Sequence, residues 1–240
     1  MQTLSRLRLV TSAAIATFVA CLVAATGLAI AAPSPVELRA VRAISAISRV
    51  VWLGDAEPAA VKLPGVFTYQ QQRSLSCEYA SLHIATGLLG DPVSEYAFDD
   101  VVPHNENPHL GYRGNITGIW GNTDDYGVYA EPLAHALPHV GFTGDAFYGG
   151  RAELEAHLDR GRPVVVWLGM WGDAGGFDAY SADGARYQLT TGMHVMVAYG
   201  YDAGGVYLTD PGTAVLRYYN WVTYLGMWDV MDGMALSVYR

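Results

Sequence analysis

Two runs in the last quarter of the chain constrain its fold more than any other stretch. Met193-His194-Val195-Met196-Val197-Ala198-Tyr199 and Val206-Tyr207-Leu208-Thr209-Asp210 are rich in β-branched and aromatic residues, and they flank the turn-forming run Tyr201-Asp202-Ala203-Gly204-Gly205. Strand-like runs separated by such a break predict an antiparallel hairpin. A hairpin turning about Asp202 sets residues equidistant from it opposite one another, which makes His194 and Asp210 direct cross-strand neighbours. Neighbours of that kind share a face with Cβ atoms about 4.5–5.5 Å apart, close enough for a carboxylate to hold an imidazole. A bulge at Gly204-Gly205 would move this register by one residue.

The second constraint is Cys77, which stands where Gln70-Gln71-Gln72-Arg73-Ser74-Leu75-Ser76 runs into the apolar stretch Tyr79 to Leu89, stopped by Gly90 with Pro92 beyond. That pattern predicts a buried helix with a glycine stop and places Cys77 in its first turn. Most unpaired cysteines are small core residues. A helix N-terminus, however, presents unpaired amide hydrogens and the positive end of the dipole, which favours a thiolate over a thiol.

Around these two features the chain reads as helices first and an antiparallel sheet after, an α+β domain. Pro92 to Val102 reads as a second helix, and His104 to Tyr126 as a long Gly/Asn/Asp-rich loop. Tyr129 to Pro138 and Arg151 to Arg160 read as short helices, the latter ended by Gly161. Pro163 to Leu168 is a buried strand by its β-branched run. Gly169 to Gly184 reads as a loop, and Tyr218 to Met227 and Met234 to Tyr239 as further strands.

The first 32 residues carry Arg6 and Arg8, an apolar run from Leu9 through Ile30 and the small residues Ala29-Ile30-Ala31-Ala32, the layout of a secretory signal peptide. The run is long enough to serve as an uncleaved membrane anchor, and either way residues 33 to 240 are expected to be secreted or held at the cell surface. Cys21 lies inside this leader, so Cys77 is left without a partner in an exported chain, a free thiol open to reaction. In residues 33 to 62, Val41, Ile44, Ile47 and Val51 recur at helical spacing, the mark of an amphipathic helix or linker; residues 63 to 240 form the globular domain. Removing the leader leaves 12 basic against 23 acidic residues, which argues against nucleic acid as a partner.

His194 within reach of Cys77 would take the thiol proton, Asp210 would fix the ring tautomer, and the thiolate would attack a carbonyl. The oxyanion then needs donors, for which the Gln71 side chain and the Cys77 backbone N–H are candidates; Gln70 and Gln72 are alternatives that spacing does not separate. Here the sequence resembles the papain-like cysteine peptidases, and most closely the family that trims double-glycine leaders from bacteriocin precursors, with its stand-alone exported relatives. The residues that carry the resemblance are Gln71 six positions before Cys77, Ser76-Cys77-Glu78, Gly161-Arg162-Pro163-Val164, His194 with Gly200-Tyr201-Asp202, and Asp210-Pro211 sixteen positions after the histidine. It implies a papain-like fold over about residues 63 to 238, with Gln71 as oxyanion donor, Cys77 as nucleophile, His194 as base and Asp210 as orienting acid.

The sequence departs from the transporter-linked members in having neither a second hydrophobic span nor a phosphate-binding loop. Glu78 stands where those members commonly have glycine, and the resemblance does not imply double-glycine specificity. His83 lies six residues along the helix from Cys77, which turns it away. His104, Asn105, Glu106 and His109 have no familiar metal spacing, and Asp173, Asp178 and Asp183 lack that of a calcium loop, so no metal or organic cofactor is expected. Trp167, Trp171, Tyr180, Trp221, Tyr224 and Trp228 either line a groove or fill the core. The expectation is an exported cysteine peptidase that hydrolyses a peptide or isopeptide bond through a Cys77 thioester. The alternatives are an acyltransferase or cross-linking enzyme with the same triad, and a non-catalytic cell-surface binding module.

Overall fold

The computed structural model describes residues 60–172 and 176–240. The leader, residues 33–59 of the amphipathic segment and Asp173 lie outside the described residues. Val61–Lys62 form β1, and the helix begun by Cys77 is α1, Cys77–Leu88. Two short helices, α2 (Ala130–Ala136) and α3 (Arg151–Asp159), bracket strand β2 (Thr143–Tyr148). The remainder is β3 (Val164–Gly169), β4 (Gly176–Tyr180), β5 (Arg186–Thr190), β6 (Met193–Tyr201), β7 (Gly205–Asp210), β8 (Val215–Asn220), α4 (Trp221–Asp229) and β9 (Met234–Tyr239). The main sheet runs β2-β9-β3-β6-β7-β8 with every pair antiparallel, and β1 joins it on β6.

Strand alternation divides the core into two layers. Val165, Trp167, Val195, Val197, Leu236 and Val238 face one side, where they meet Leu82, Ile84 and Ala85 of α1 and Leu133 of α2. Val164, Val166, Leu168, Met196, Ala198 and Ala235 face the other, against Leu154 and Leu158 of α3 and Trp221, Tyr224 and Trp228 of α4. Side chains at period 2 on strands covered on both faces leave β3 entirely buried. Helices α1 and α4 thus lie on opposite faces of the sheet, and the α1 N-terminus reaches the start of β6.

Several elements differ from the sequence expectation. Pro92 to Val102 forms only a single 3-10 turn, Glu95–Phe98, capped by the Ser94 hydroxyl at 3.3 Å from the Tyr96 N–H. Glu95 is fully buried there and accepts hydrogen bonds from the Gln72 N–H and Ser76 hydroxyl, so this segment folds around the loop ahead of Cys77 and does not extend as a helix. Tyr218 to Met227 is not one strand. Asn220 accepts from the Thr223 N–H at 2.9 Å and starts α4, whose Trp221, Tyr224 and Trp228 recur at helical spacing toward the core. β4 begins inside the expected Gly169–Gly184 loop and pairs with β5 as a separate hairpin. The globular fold starts before Leu63, since Val61 and Lys62 pair with Tyr201 and Gly200.

Candidate active site

The hairpin forms, with a different register from the one a turn about Asp202 gives. Tyr201 pairs with Val206 and Gly200 with Tyr207; a bulge between Ala198 and Gly200 then shifts the pairing to Ala198↔Leu208 and Val197↔Thr209. The turn is tighter and later than expected because the Asp202 carboxylate accepts the N–H groups of Gly204 at 2.8 Å and Gly205 at 3.0 Å. Continued to Asp210, this register sets it opposite Met196, so His194 is its diagonal neighbour and not its direct one. The displacement is two residues, an even number, and both side chains therefore remain on one face. The pair closes, with His194 Nε2 2.8 Å from Asp210 Oδ1.

Asp210 is held from all sides. It is 3% exposed, and besides His194 its carboxylate accepts the Gly212 N–H at 2.8 Å, the Thr213 hydroxyl at 2.7 Å and Arg217 Nη2 at 3.1 Å. Burial alone would raise this carboxyl, but the hydrogen bonds from His194 and Thr213 outweigh burial and hold it well below the usual carboxylate range. Thr213 and Arg217, which brace the pair, carry no spacing signal in the sequence and become visible only through the β7–β8 turn.

Cys77 opens α1 directly after Ser76. The loop ahead of it is fastened on both flanks. Gln71 donates its backbone N–H to Pro211 O at 2.9 Å, and the Gln70 side chain donates to Gly212 O at 2.8 Å, which ties this loop to the turn that holds Asp210. On the other flank, Leu75 donates to Ile116 O, and the Tyr112 hydroxyl donates to Leu75 O at 2.6 Å, so the long His104–Tyr126 loop buttresses the cysteine. Gln71 is the member of the glutamine run that faces the cavity. Its amide donates to Arg73 O at 2.9 Å and Ser74 O at 2.8 Å.

The thiol is in a different state from the one a helix N-terminus alone would give. Cys77 is 5% exposed; burial, then the charge of Glu78, push its pKa well above that of an ordinary thiol. Its Sγ donates to Glu78 Oε2 at 3.3 Å. Glu78, fully buried, is the residue whose part in the site the sequence pattern did not bring out.

Gln71, Cys77, His194 and Asp210 line one cavity of about 620 Å3, whose remaining walls include Trp120, Met170, Trp171, Met196 and Arg217. Its β6 lining, His194 and Met196, lies ahead of the first β6–β7 pair at Val197 and Thr209. Trp120 and Trp171 meet edge to face at 4.9 Å, and Trp120 Nε1 donates to Met193 O at 2.7 Å. Of the aromatic residues read as groove or core, Trp167, Trp221, Tyr224 and Trp228 are buried, while Trp171 is half exposed on the cavity wall. His83 points elsewhere, bonded to Val93 O at 2.8 Å and stacked on Tyr69. His109 pairs with Glu131 at 3.1 Å, and among the described residues no three His, Cys, Asp or Glu side chains converge as a metal site requires.

A helix opening on a cysteine, packed on an antiparallel sheet with a histidine–aspartate pair on two of its neighbouring inner strands, defines the papain-like cysteine peptidase class. Residues 65–236 match the family described as "Peptidase_C39 like family", and the chain belongs to it. Its substrates are accordingly peptides or proteins. Among solved structures the fold is similar to that of a C39-like peptidase from Bacillus anthracis, 24% identical, with 76% of this chain and 98% of that one covered at a TM-score of 0.63. It is also similar to the peptidase domain of Streptococcus ComA, a bi-functional ABC transporter involved in a quorum-sensing pathway, at 15% identity, 73% and 98% coverage and a TM-score of 0.47. No curated protein matches the sequence.

Proposed function

We propose that the protein is an exported cysteine peptidase that cleaves a peptide or isopeptide bond through a thioester on Cys77. The observation that carries this reading is the His194–Asp210 hydrogen bond of 2.8 Å on the wall of the same cavity as Cys77. With Nε2–H donated to Asp210, Nδ1 of His194 is left as the base. It takes the Cys77 proton; Sγ adds to the substrate carbonyl, and the oxyanion is met by the Cys77 backbone N–H and by Gln71, which exchanges its solvent-exposed bond to Ser74 O for the substrate. Collapse expels the amine, which leaves with the proton from His194. Water, deprotonated by His194, then adds to the thioester, the acid departs and the thiol is restored.

The test is turnover of a mixed peptide pool, read by mass spectrometry. Cys77→Ala is expected to leave every peptide intact, and His194→Ala to lose at least about a thousandfold in rate; cleavage by the Cys77→Ala protein overturns the assignment. Repeating the digestion with added amine separates hydrolysis, which yields free acid throughout, from acyl transfer, which yields amide. Export rests on the Arg6/Arg8 and Leu9–Ile30 pattern, and the mass of the protein recovered outside the cell is expected to correspond to a chain beginning at Pro33 or close to it. Recovery in the cytosol with the leader intact overturns it.

A further inference from the structure

Glu78 touches the nucleophile itself, yet the proposed mechanism leaves it unused. Its side chain is fully buried behind the nucleophile, with Oε1 accepting the Val128 N–H at 3.0 Å and Oε2 accepting the Cys77 thiol at 3.3 Å. The loop is shaped to admit it. Gly127 adopts φ +143°, and a Cβ at that position would collide with Glu78 Oε1. The ionisable groups facing this carboxyl are Cys77 and Tyr79 from its own helix and Tyr112 and Tyr126 from the loop packed over it, and none of them is a cation. A buried carboxylate without a cation is costly unless its hydrogen bonds are met. Here one of the two acceptor positions is met by the nucleophile itself.

We propose that Glu78 is a positioning residue that holds the resting Cys77 as a neutral thiol, and that a solvent proton taken up by Glu78 releases Cys77 for catalysis. This rests on the triad reading above. With Glu78 ionised, moving the thiol proton to His194 would leave two anions, the Sγ and Oε2 atoms, 3.3 Å apart. Once Glu78 has taken a proton from solvent, its O–H turns to donate to Sγ. The thiol proton passes to His194 Nδ1, and the thiolate–imidazolium pair forms beside a neutral acid. Burial supports the timing, since it raises the Glu78 carboxyl to about 7. The competent state therefore fades as pH rises through neutrality, whereas an ordinary thiol becomes steadily more reactive over the same range.

The experiment is the rate of Cys77 alkylation by iodoacetamide from pH 5.5 to 8.5, on wild-type protein and on Glu78→Gln, with circular dichroism and melting curves confirming the fold. The wild-type rate is expected to fall between pH 7 and 8.5; at pH 8, Glu78→Gln is expected to label at least about tenfold faster, the least that removing a neighbouring charge implies. A wild-type rate that climbs monotonically with pH overturns the proposal even if the variant does not fold, and so does a folded variant whose profile matches wild type. Labelling is independent of substrate. If Cys77→Ala abolishes peptide cleavage while the two labelling profiles coincide, the role of Glu78 falls and the triad stands; if Cys77→Ala still cleaves, the triad reading falls.

Discussion

At the scale of single residues, two buried carboxyls dominate, and their pKa values move in opposite directions. Asp210 is held below the ordinary range by its partners, so its contribution to folding is present above the unfolded value of about 3.9 and is lost as pH falls through the lower folded value. The melting temperature of Asp210→Asn is therefore expected to lie below wild type at neutral pH, with the gap closing below about pH 4. The same variant is expected to lower kcat/KM, because a neutral amide there no longer stabilises the imidazolium that His194 becomes when it takes the Cys77 proton. Glu78 is raised, so its contribution is full below the unfolded value of about 4.3 and is lost as pH rises through about 7. Glu78→Gln should consequently gain in melting temperature relative to wild type as pH is raised from 4.5 to 8; a gap that stays constant contradicts the shift. That Cys77 opens a helix and that His194 meets Asp210 could be read in the sequence because each placement follows from local chemistry, a helix start or a hairpin. Glu78 could be seen but not interpreted. Its role depends on Gly127 and Val128, some fifty residues away, leaving exactly the space and the one N–H that a carboxylate needs, and no local pattern encodes that.

At the scale of elements, legibility follows how far each signal is local. The strands β3, β6, β7 and β9 are buried on both faces, so their apolar runs stand out in the sequence. The strand β2 is a partly exposed edge strand with residues Thr143-Gly144-Asp145 and gave no such run. The segment beginning at Tyr218 misled because Tyr, Trp, Val and Thr have high strand propensity, and what overrides it is tertiary packing of α4 together with its cap. That cap can be tested: Asn220→Ala removes the acceptor for the Thr223 N–H and is expected to cost about 1 kcal/mol. In a domain of this size the melting point should drop by roughly 2–4 °C. The hairpin register shows a finer dependence. Asp202 moved the turn and the Ala198–Gly200 bulge moved the ladder back, so a face could be read from the sequence although the exact partner could not.

At the scale of the whole molecule, the α+β order of helices before sheet was visible because the strand-rich residues concentrate after Val164, and the assignment of two helical layers to opposite faces was not, since it is written in strand parity across distant segments. That parity also determines how the molecule is stabilised. The chain has two cysteines, Cys21 in the segment proposed as a leader and Cys77, which is unpaired and buried. A protein of residues 33–240 therefore has no covalent staple, and its stability must come from the two apolar layers, each anchored by a fully buried tryptophan whose indole N–H is satisfied: Trp167 donates to Val128 O at 3.0 Å and Trp228 to Met234 O at 2.8 Å. Two outcomes follow from this arrangement. The melting temperature of residues 33–240 should be the same with and without reductant, whereas an extracellular domain held by disulfides would fall by the several kcal/mol such a bond contributes. Trp228→Ala, which empties the layer beneath α4 on the face opposite α1, should cost about 3–5 kcal/mol while leaving the rate of Cys77 alkylation in the still-folded fraction unchanged, because Cys77 and the helix it opens pack in the other layer and Trp228 does not line their cavity, which this layer reaches through Met196. A change in that alkylation rate at temperatures where the variant remains folded would mean that the two layers are coupled through the sheet and do not act independently.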